Sequence, residues 1–192
     1  MYKFILASKS PRRKELLQNI GMVFDVIESD FDENTISKDI EPKLYVQELA
    51  IGKASALLKN VPRKSLVIGA DTVVCLDSKI LGKPTDRNDA INMLKMLSGR
   101  VHQVYTGVCV ARSDDGKIVS SYEKTDVYFD EICEKDIEHY VDNYSVLDKA
   151  GAYGIQEYAG VFVNKIDGDY FNIVGLPVHL LHKIINSEFG KE

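Results

Sequence analysis

The sequence lacks tryptophan, has only three cysteines and contains no apolar run long enough to cross a bilayer. Cys75, Cys109 and Cys133 are odd in number and lack Cys-x-x-Cys spacing, which argues against a disulfide frame or a zinc site. We expect them to be buried thiols in a reducing compartment. The apolar run near the N-terminus, Tyr2–Ala7, is too short for a secretion signal. These absences predict a cytoplasmic protein with no membrane partner.

Several catalytic signatures are also absent. There is no Gly-x-Ser-x-Gly elbow and no Walker A sequence, so acyl transfer and P-loop chemistry lack their motifs. Of the four histidines, His179 and His182 have the i, i+3 spacing of a helical metal pair. No third ligand stands at a useful distance, so a helix surface is the better interpretation. His102 falls in a strand, where it is expected to pack.

Positive charge is not in excess. The 24 lysines and arginines against 29 acidic residues give a net charge of −5, which argues against a general nucleic-acid surface. An acidic protein still binds a polyanion where cations gather locally. The positions of a few lysines and arginines are therefore more informative than their number.

The chain of 192 residues, 45% of them hydrophobic, suits one domain over residues 1–192 with a core and a cleft. Its periodicities alternate between strands and helices, which predicts a mixed α/β domain with two lobes around one long sheet. The predicted strands are Tyr2–Ala7, Val23–Glu28, Leu66–Leu76, Val101–Ala111, Ile118–Phe129 and Val161–Ile166. The predicted helices run from Pro11 to Gly21, Pro42–Asn60, Asp86–Ser98, Glu134–Tyr144 and onward from Pro177.

The first strand runs directly into Ser8-Lys9-Ser10-Pro11-Arg12-Arg13. Ser10 suits a helix N-cap and Pro11 the first helical position. A helix N-terminus presents free N–H groups and the positive end of the helix dipole, and nearby guanidinium groups bind phosphate oxygens. The motif predicts an anion site. An ordinary capped helix with solvated arginines is the alternative.

A carboxylate interrupts the most apolar strand, in Gly69-Ala70-Asp71-Thr72-Val73-Val74. Burying it is costly unless it is paired, hydrogen-bonded or bound to metal, and the small residues beside it leave room for a ligand. A purely structural Asp71 is the alternative. Lys83 in a turn and the small-residue loop Asp148–Gln156 are weaker candidates, since turn lysines are commonly solvated and such loops are often plain connections.

Together these segments resemble the Maf family, named for inhibition of septum formation. The similarity is collinear from Ile5 to about Pro177, and eight segments in order are far more specific than any one. The matching pieces are ILASKSPRRKELLQNIG, DFDE, the helix with GKA, VIGADTVV, LGKP, LSGRVHQVYTGV, LDKAGAYGIQ and GDYFNIVGLP.

The resemblance implies a Maf/HAM1-type (ITPase-like) fold, a homodimer, and metal-dependent cleavage of a nucleoside triphosphate between its α and β phosphates. It places Asp71 at the proton acceptor of the family. It also places Ser8, Ser10, Arg13, Glu33, Lys53 and Lys83 on the polar positions of the cleft. Glu33 and Asp71 are hard oxygen ligands that suit Mg²⁺ or Mn²⁺. Whether Asp71 takes the proton or mainly holds the metal stays open.

Three positions separate subgroups of this family. The subgroup that prefers a methylated guanine nucleotide has tryptophan after Ser-Pro, where this sequence has Arg12. Thr72 and Gln156 likewise follow the dTTP/UTP pattern, so the resemblance implies hydrolysis of dTTP and UTP, with CTP and modified pyrimidine nucleotides as further candidates. Gly52 departs from the family, which usually has a larger residue before Lys53. A glycine there is expected to soften the helix.

Two other functions compete with pyrophosphatase activity. A phosphatase that releases orthophosphate would use the same cations and carboxylates. A non-catalytic, nucleotide-binding regulator of cell division and septum formation would not need Asp71. The full set of polar residues favours catalysis.

Overall fold

Residues 2–190 are described by a computed structural model. Seven strands form one mixed sheet in the order β2-β1-β3-β5-β6-β7, with β4 paired to β3. β1 is parallel to β2 and to β3, whereas the other pairs are antiparallel. The strands are β1 (Lys3–Leu6), β2 (Phe24–Val26), β3 (Ser65–Leu76), β4 (Lys79–Leu81), β5 (Val101–Arg112), β6 (Ile118–Phe129) and β7 (Val163–Asp167).

Six α-helices of the described residues flank the sheet, and the five predicted helices are among them. They are α1 (Pro11–Asn19), α2 (Pro42–Leu57), α3 (Arg87–Leu97), α4 (Glu134–Asn143), α5 (Tyr170–Val174) and α6 (Val178–Glu188). Short 3₁₀ turns cover Glu33–Thr35, Ala150–Ala152 and Tyr158–Phe162. The mixed α/β architecture predicted from the periodicities is therefore confirmed.

Two hydrophobic clusters form the two lobes, which share the long strands β3, β5 and β6. One cluster packs α1 and α6 against the first half of β3, around Leu17, Ile68 and Leu181. The other packs α3 and α4 against its second half, around Leu94 and Tyr140. The middle of β3 runs between the two clusters, so polar residues placed there lie between the lobes.

Helix α2 covers β3 and β5 on one face of the sheet, and Gly69 makes this close approach possible. A Cβ atom at Gly69 would overlap the carbonyl oxygen of Ala50 on α2. Any larger residue at this position would push α2 away from the strand that carries Asp71.

The structure corrects several sequence predictions. The strand predicted at Val161–Ile166 begins only at Val163, where pairing with Phe129 starts, because the two residues before it belong to a 3₁₀ turn. Strand β4 was not predicted, since it follows a turn whose left-handed residues are Asp77 and Ser78 instead of glycine. Helix α5 has only five residues, too few for a helical period.

The thiols were predicted to be buried, and this is wrong for one of them. Cys75 and Cys109 are buried in strands, where burial raises the pKa of their thiols to about 11 and about 12. Cys133 is exposed, because it occupies the N-cap position of α4, and its Sγ lies 3.1 Å from a carboxylate oxygen of Asp136.

Candidate active site

A cleft of about 550 Å³ opens between the two lobes. Its walls come from the start of α1, the inner face of α2, the middle of β3, the residues after β4 and the loop over residues 148–157. All ten residues singled out from the sequence line it, namely Ser8, Ser10, Arg12, Arg13, Glu33, Lys53, Asp71, Thr72, Lys83 and Gln156. Segments far apart in the sequence thus converge on one site.

The cleft carries the opposite charge balance to the whole chain. Seven lysine and arginine side chains line it against four carboxylates, although the net charge of the protein is −5. Concentrated positive charge between low-dielectric walls attracts anions. This is the local gathering of cations that an acidic protein needs to bind a polyanion.

The start of α1 forms one wall of the cleft. Ser10 is the N-cap residue and Pro11 opens the helix, yet the Ser10 side chain makes no capping hydrogen bond. Instead the backbone N–H of Ser10 donates to Ser8 Oγ at 3.2 Å. The first turn of α1 therefore keeps uncapped N–H groups, which is the arrangement that binds an anion at a helix N-terminus.

Arg13 lies at the base of this wall and is held by the protein itself. Its Nε donates to the carbonyl oxygen of Gly175 at 2.8 Å, and Nη1 donates to that of Ala70 at 2.8 Å and to Ser8 Oγ at 3.3 Å. Nη2 donates to Thr72 Oγ1 at 3.1 Å. Since a guanidinium has five N–H groups, one remains for a ligand, which is too few for a bidentate phosphate contact.

Burial lowers the pKa of Arg13, and the charge of Asp71 opposes this shift. Because a guanidinium stays protonated in proteins despite such a shift, Arg13 contributes a fixed positive charge at the base of the cleft. It also joins α1 to β3 and to the residues after α5, so it positions three parts of the wall.

Lys53, on α2, lies between the two carboxylates of the site. Its Nζ is 2.5 Å from Asp71 Oδ1 and 2.8 Å from Glu33 Oε1. Burial raises the pKa of Glu33, but the hydrogen bond and charge of Lys53, with the charges of Lys83 and Arg13, outweigh it and hold that pKa below its usual value. Glu33 is therefore ionised at neutral pH.

The pair of Glu33 and Asp71 suits a divalent cation that a triphosphate accompanies. Mg²⁺ is commonly held by one or two carboxylates, with phosphate oxygens and water completing its shell. Asp71 is only 13% exposed and comes from the rigid centre of β3, whereas Glu33 is 55% exposed in a 3₁₀ turn. One fixed and one adjustable carboxylate fit a site that is completed when substrate binds.

The loop over residues 148–157 forms the opposite wall and holds charged groups that sequence reasoning did not assign. Arg12 Nη1 lies 2.9 Å from Asp148 Oδ2 and so joins the two walls. Burial raises the pKa of Asp148, but Arg12 and then Lys149 outweigh it and bring that pKa to about 2.

Lys149 is 3% exposed, and its Nζ contacts Glu157 Oε1 at 3.1 Å and the carbonyl oxygen of Ser145. This buried pair anchors the loop around Gln156. A lysine between polar and small residues is expected to be solvated, so the sequence carried no signal for its burial.

Tyr153 in the same loop lines the cleft and is held from behind by His102 of β5. The Tyr153 hydroxyl lies 2.7 Å from Nε2 of His102, which is completely buried, and Phe129 packs edge-on against both rings. Burial lowers the pKa of His102 to about 4, with Asp126 opposing the shift. The expectation that His102 packs in its strand is thus confirmed, and the imidazole is neutral near pH 7.

Gly52 precedes Lys53 on α2, and the structure shows why a glycine stands at this position. The ring of Phe31 packs where a Cβ atom at Gly52 would lie, so any larger residue would displace that ring. Phe31 also lines the cleft and stands two residues before Glu33. The glycine therefore lets the segment that carries Glu33 lie against α2.

The other histidines lie outside the cleft. His179 and His182 are exposed on α6, and His182 Nε2 lies 2.7 Å from Asn186 Nδ2. Within residues 2–190 no three histidine, cysteine or acidic side chains form a metal-binding group by themselves. In the same range no helix is long and apolar enough to cross a membrane.

The fold and the cleft define a two-lobed α/β protein of the HAM1 kind. The Staphylococcus aureus Ham1 protein superimposes with a TM-score of 0.53 over 97% of this chain and 99% of its own, at 16% sequence identity, so this likeness concerns the fold. Sequence comparison is more specific. The family described as Maf-like protein matches residues 3–188, and the chain belongs to this family.

Close relatives cover nearly the full length. A protein of Thermoanaerobacter sp. (strain X514) is 48% identical over 187 residues, 97% of each chain. Those of Clostridium novyi (strain NT) and Alkaliphilus metalliredigens (strain QYMF) are 48% identical over 95% of each chain and 46% identical over 98% of this chain and 97% of theirs. All three carry the name dTTP/UTP pyrophosphatase.

Proposed function

We propose that this protein hydrolyses the pyrimidine nucleoside triphosphates dTTP and UTP to the monophosphate and pyrophosphate, with CTP and modified pyrimidine nucleotides as further substrates. The observation that carries the proposal is the cationic cleft with the Glu33–Lys53–Asp71 cluster inside it. A triphosphate brings about four negative charges, and this cleft supplies cations and carboxylates together. Membership of the Maf-like family and relatives named dTTP/UTP pyrophosphatase support it.

The phosphates are assigned to the wall formed by α1 and Lys83. Ser8, Ser10 and the uncapped N–H groups of α1 bind phosphate oxygens, while Arg13 offers its charge and one N–H. Because Arg13 is fixed by the protein, its charge needs no rearrangement when the substrate binds, which is the property that makes electrostatic stabilisation effective.

Asp71 is assigned to accept the proton of the attacking water. The water oxygen bonds to one of the two phosphorus atoms that share the α–β bridging oxygen, the bridging P–O bond breaks, and the proton passes to Asp71. Lys53 contacts Oδ1 of Asp71, so Oδ2 is the oxygen left either to take the proton or to hold Mg²⁺ or Mn²⁺ together with Glu33. Such a cation would acidify the water and neutralise phosphate charge.

The nucleobase of the substrate is assigned to the part of the cleft formed by Arg12, Thr72 and Gln156. A Gln carboxamide accepts the N3–H of uracil or thymine and donates to a neighbouring carbonyl, but a flipped amide would pair equally with cytosine. Gln156 alone therefore does not exclude CTP, and a second group has to fix the choice.

We propose a single cytoplasmic domain that forms a homodimer and uses no nucleic-acid or membrane partner. A role in septum formation would require a protein partner.

Product analysis tests the function. Purified protein with Mg²⁺ or Mn²⁺ is expected to convert dTTP and UTP to monophosphate plus pyrophosphate, as separated by anion-exchange chromatography, and to lose activity in excess chelator. The matched control is the Asp71→Asn variant, which keeps the size of the side chain. Orthophosphate as the first product would indicate a phosphatase, and nucleotide binding without turnover would indicate a regulator.

A further inference from the structure

Two buried polar residues lie directly beneath Thr72 and have no part in the function proposed above. Thr106 on β5 is paired with Thr72 in the sheet register, and Asn172 lies on α5. Both are completely buried and neither lines the cleft. Since buried polar groups are costly unless they are bonded, their hydrogen bonds are informative.

The hydrogen bonds of Thr106 and Asn172 determine which hydroxyl donates in the contact between Thr72 and Thr106. Asn172 Nδ2 donates to the Val104 carbonyl oxygen at 3.0 Å and to Thr125 Oγ1 at 2.9 Å. Thr106 Oγ1 donates its single proton to the backbone carbonyl oxygen of Asn172 at 2.9 Å, an atom that can only accept. Thr106 must therefore accept, not donate, in its 2.9 Å hydrogen bond with Thr72 Oγ1.

The Thr72 hydroxyl is thereby oriented. Its proton goes to Thr106 at 2.9 Å, and the weaker alternative, the carbonyl oxygen of Gly175 at 3.4 Å, already accepts from Arg13 Nε. One lone pair of Thr72 Oγ1 receives the Arg13 Nη2 proton at 3.1 Å. What Thr72 can offer to a ligand in the cleft is therefore its second lone pair and no proton.

We propose that Thr106 and Asn172 set base specificity by holding Thr72 as an acceptor only. Such an acceptor binds the N3–H of uracil and thymine, whereas cytosine has a lone pair at N3 and is bound less well, so CTP is the poorer substrate. This inference rests on the proposed function. It supplies the second group that the carboxamide of Gln156 requires, and it makes Thr106 a positioning residue that never touches the substrate.

The test compares Thr106→Val with wild type and with Thr106→Ser, which keeps the hydroxyl. In the valine variant Thr72 loses its acceptor at 2.9 Å and keeps only the Gly175 carbonyl oxygen at 3.4 Å, so its proton can turn to N3 of cytosine. The ratio of kcat/KM for CTP to that for UTP is expected to rise at least about fivefold, since an unpaired buried polar group is costly. Thr106→Ser is expected to keep the wild-type ratio.

Calorimetric binding of CMP and UMP gives the same comparison without turnover. An unchanged ratio of kcat/KM for CTP to that for UTP in Thr106→Val would overturn the inference. An equal loss of kcat/KM for UTP, dTTP and CTP would overturn it as well, because Thr72 would then face the sugar or the phosphates. Wild-type protein that binds UMP but turns over no triphosphate would contradict the proposed function instead. If Thr106→Val does not fold, Thr106→Ala removes the same hydroxyl with less bulk.

Discussion

Lys53 Nζ lies 2.5 Å from Asp71 Oδ1, and both side chains are only 13% exposed. The lysine comes from α2 and the aspartate from the centre of β3, so the pair links the helix to the strand at the base of the cleft. With Glu33 on its other side, the lysine also separates two carboxylates that would otherwise repel each other.

Asp71→Asn is expected to lower kcat at least about a hundredfold, in line with loss of a general base or metal ligand. Near-isosteric replacement would be expected to leave stability unchanged or raise it if carboxylate repulsion dominated. The observed pair with Lys53 reverses this expectation. The free energy of unfolding, measured in urea, should fall by about 1 kcal/mol because the amide oxygen is a weaker, uncharged acceptor for Lys53. Near-normal turnover of the folded variant would show that Asp71 is structural.

The base-choice assignment is tested at Arg12. Arg12→Trp is expected to lower kcat/KM for UTP and dTTP relative to GTP and 7-methyl-GTP, because the indole changes the pocket and the ion pair with Asp148 is lost. Gln156→Glu should lower kcat/KM for UTP and dTTP more than for the other triphosphates, since a carboxylate cannot donate to a carbonyl.

Asp148→Asn is the matched control for Arg12→Trp, since it breaks the same ion pair and leaves the Arg12 side chain in place. If Asp148→Asn reproduces the shift in ranking, the ion pair between the two walls sets the preference. An unchanged ranking of the five nucleotides UTP, dTTP, CTP, GTP and 7-methyl-GTP in Arg12→Trp and Gln156→Glu would contradict the assignment.

The sequence predicted the long elements and Asp71 from physical patterns, whereas Glu33 and Lys53 were placed in the cleft only by the family resemblance. Strong periodicity identifies β3, β5 and α3, and polar residues that interrupt apolar runs, such as Asp71, are visible without a structure. Polar side chains that the fold buries could not be identified from the sequence. Lys149 and Asn172 look like surface residues in the sequence, because nothing local indicates which polar side chains a fold will enclose.

The neutral state of His102 predicts a specific dependence of stability on pH. Burial lowers its pKa from about 6.5 in the unfolded chain to about 4 in the folded protein. Between these values the unfolded chain binds a proton that the folded chain does not. The free energy of unfolding therefore falls as the pH falls through this window, by about 3 kcal/mol in all.

His102→Gln, which does not titrate, should flatten this part of the curve when urea unfolding is measured from pH 7.5 to pH 4. His179→Gln is the control, since His179 is exposed on α6. Equal pH dependence in wild type and His102→Gln would show that the histidine does not carry the effect.

The contact between Gly52 and Phe31 predicts that Gly52→Ala raises or lowers the free energy of unfolding according to whether the Phe31 ring is present. Gly52→Ala normally stabilises a helix interior by about 1 kcal/mol. Here the added Cβ overlaps the Phe31 ring, so the ring must move and Glu33 is displaced with its segment. We expect Gly52→Ala alone to lower both the free energy of unfolding and kcat.

In a Phe31→Ala background the same change should raise the free energy of unfolding. Urea unfolding of the four proteins of this double-mutant cycle gives the coupling energy, expected to exceed about 1 kcal/mol. The same effect of Gly52→Ala in both backgrounds would mean that the ring does not depend on the glycine, and the loop carrying Glu33 would then be held by its other contacts.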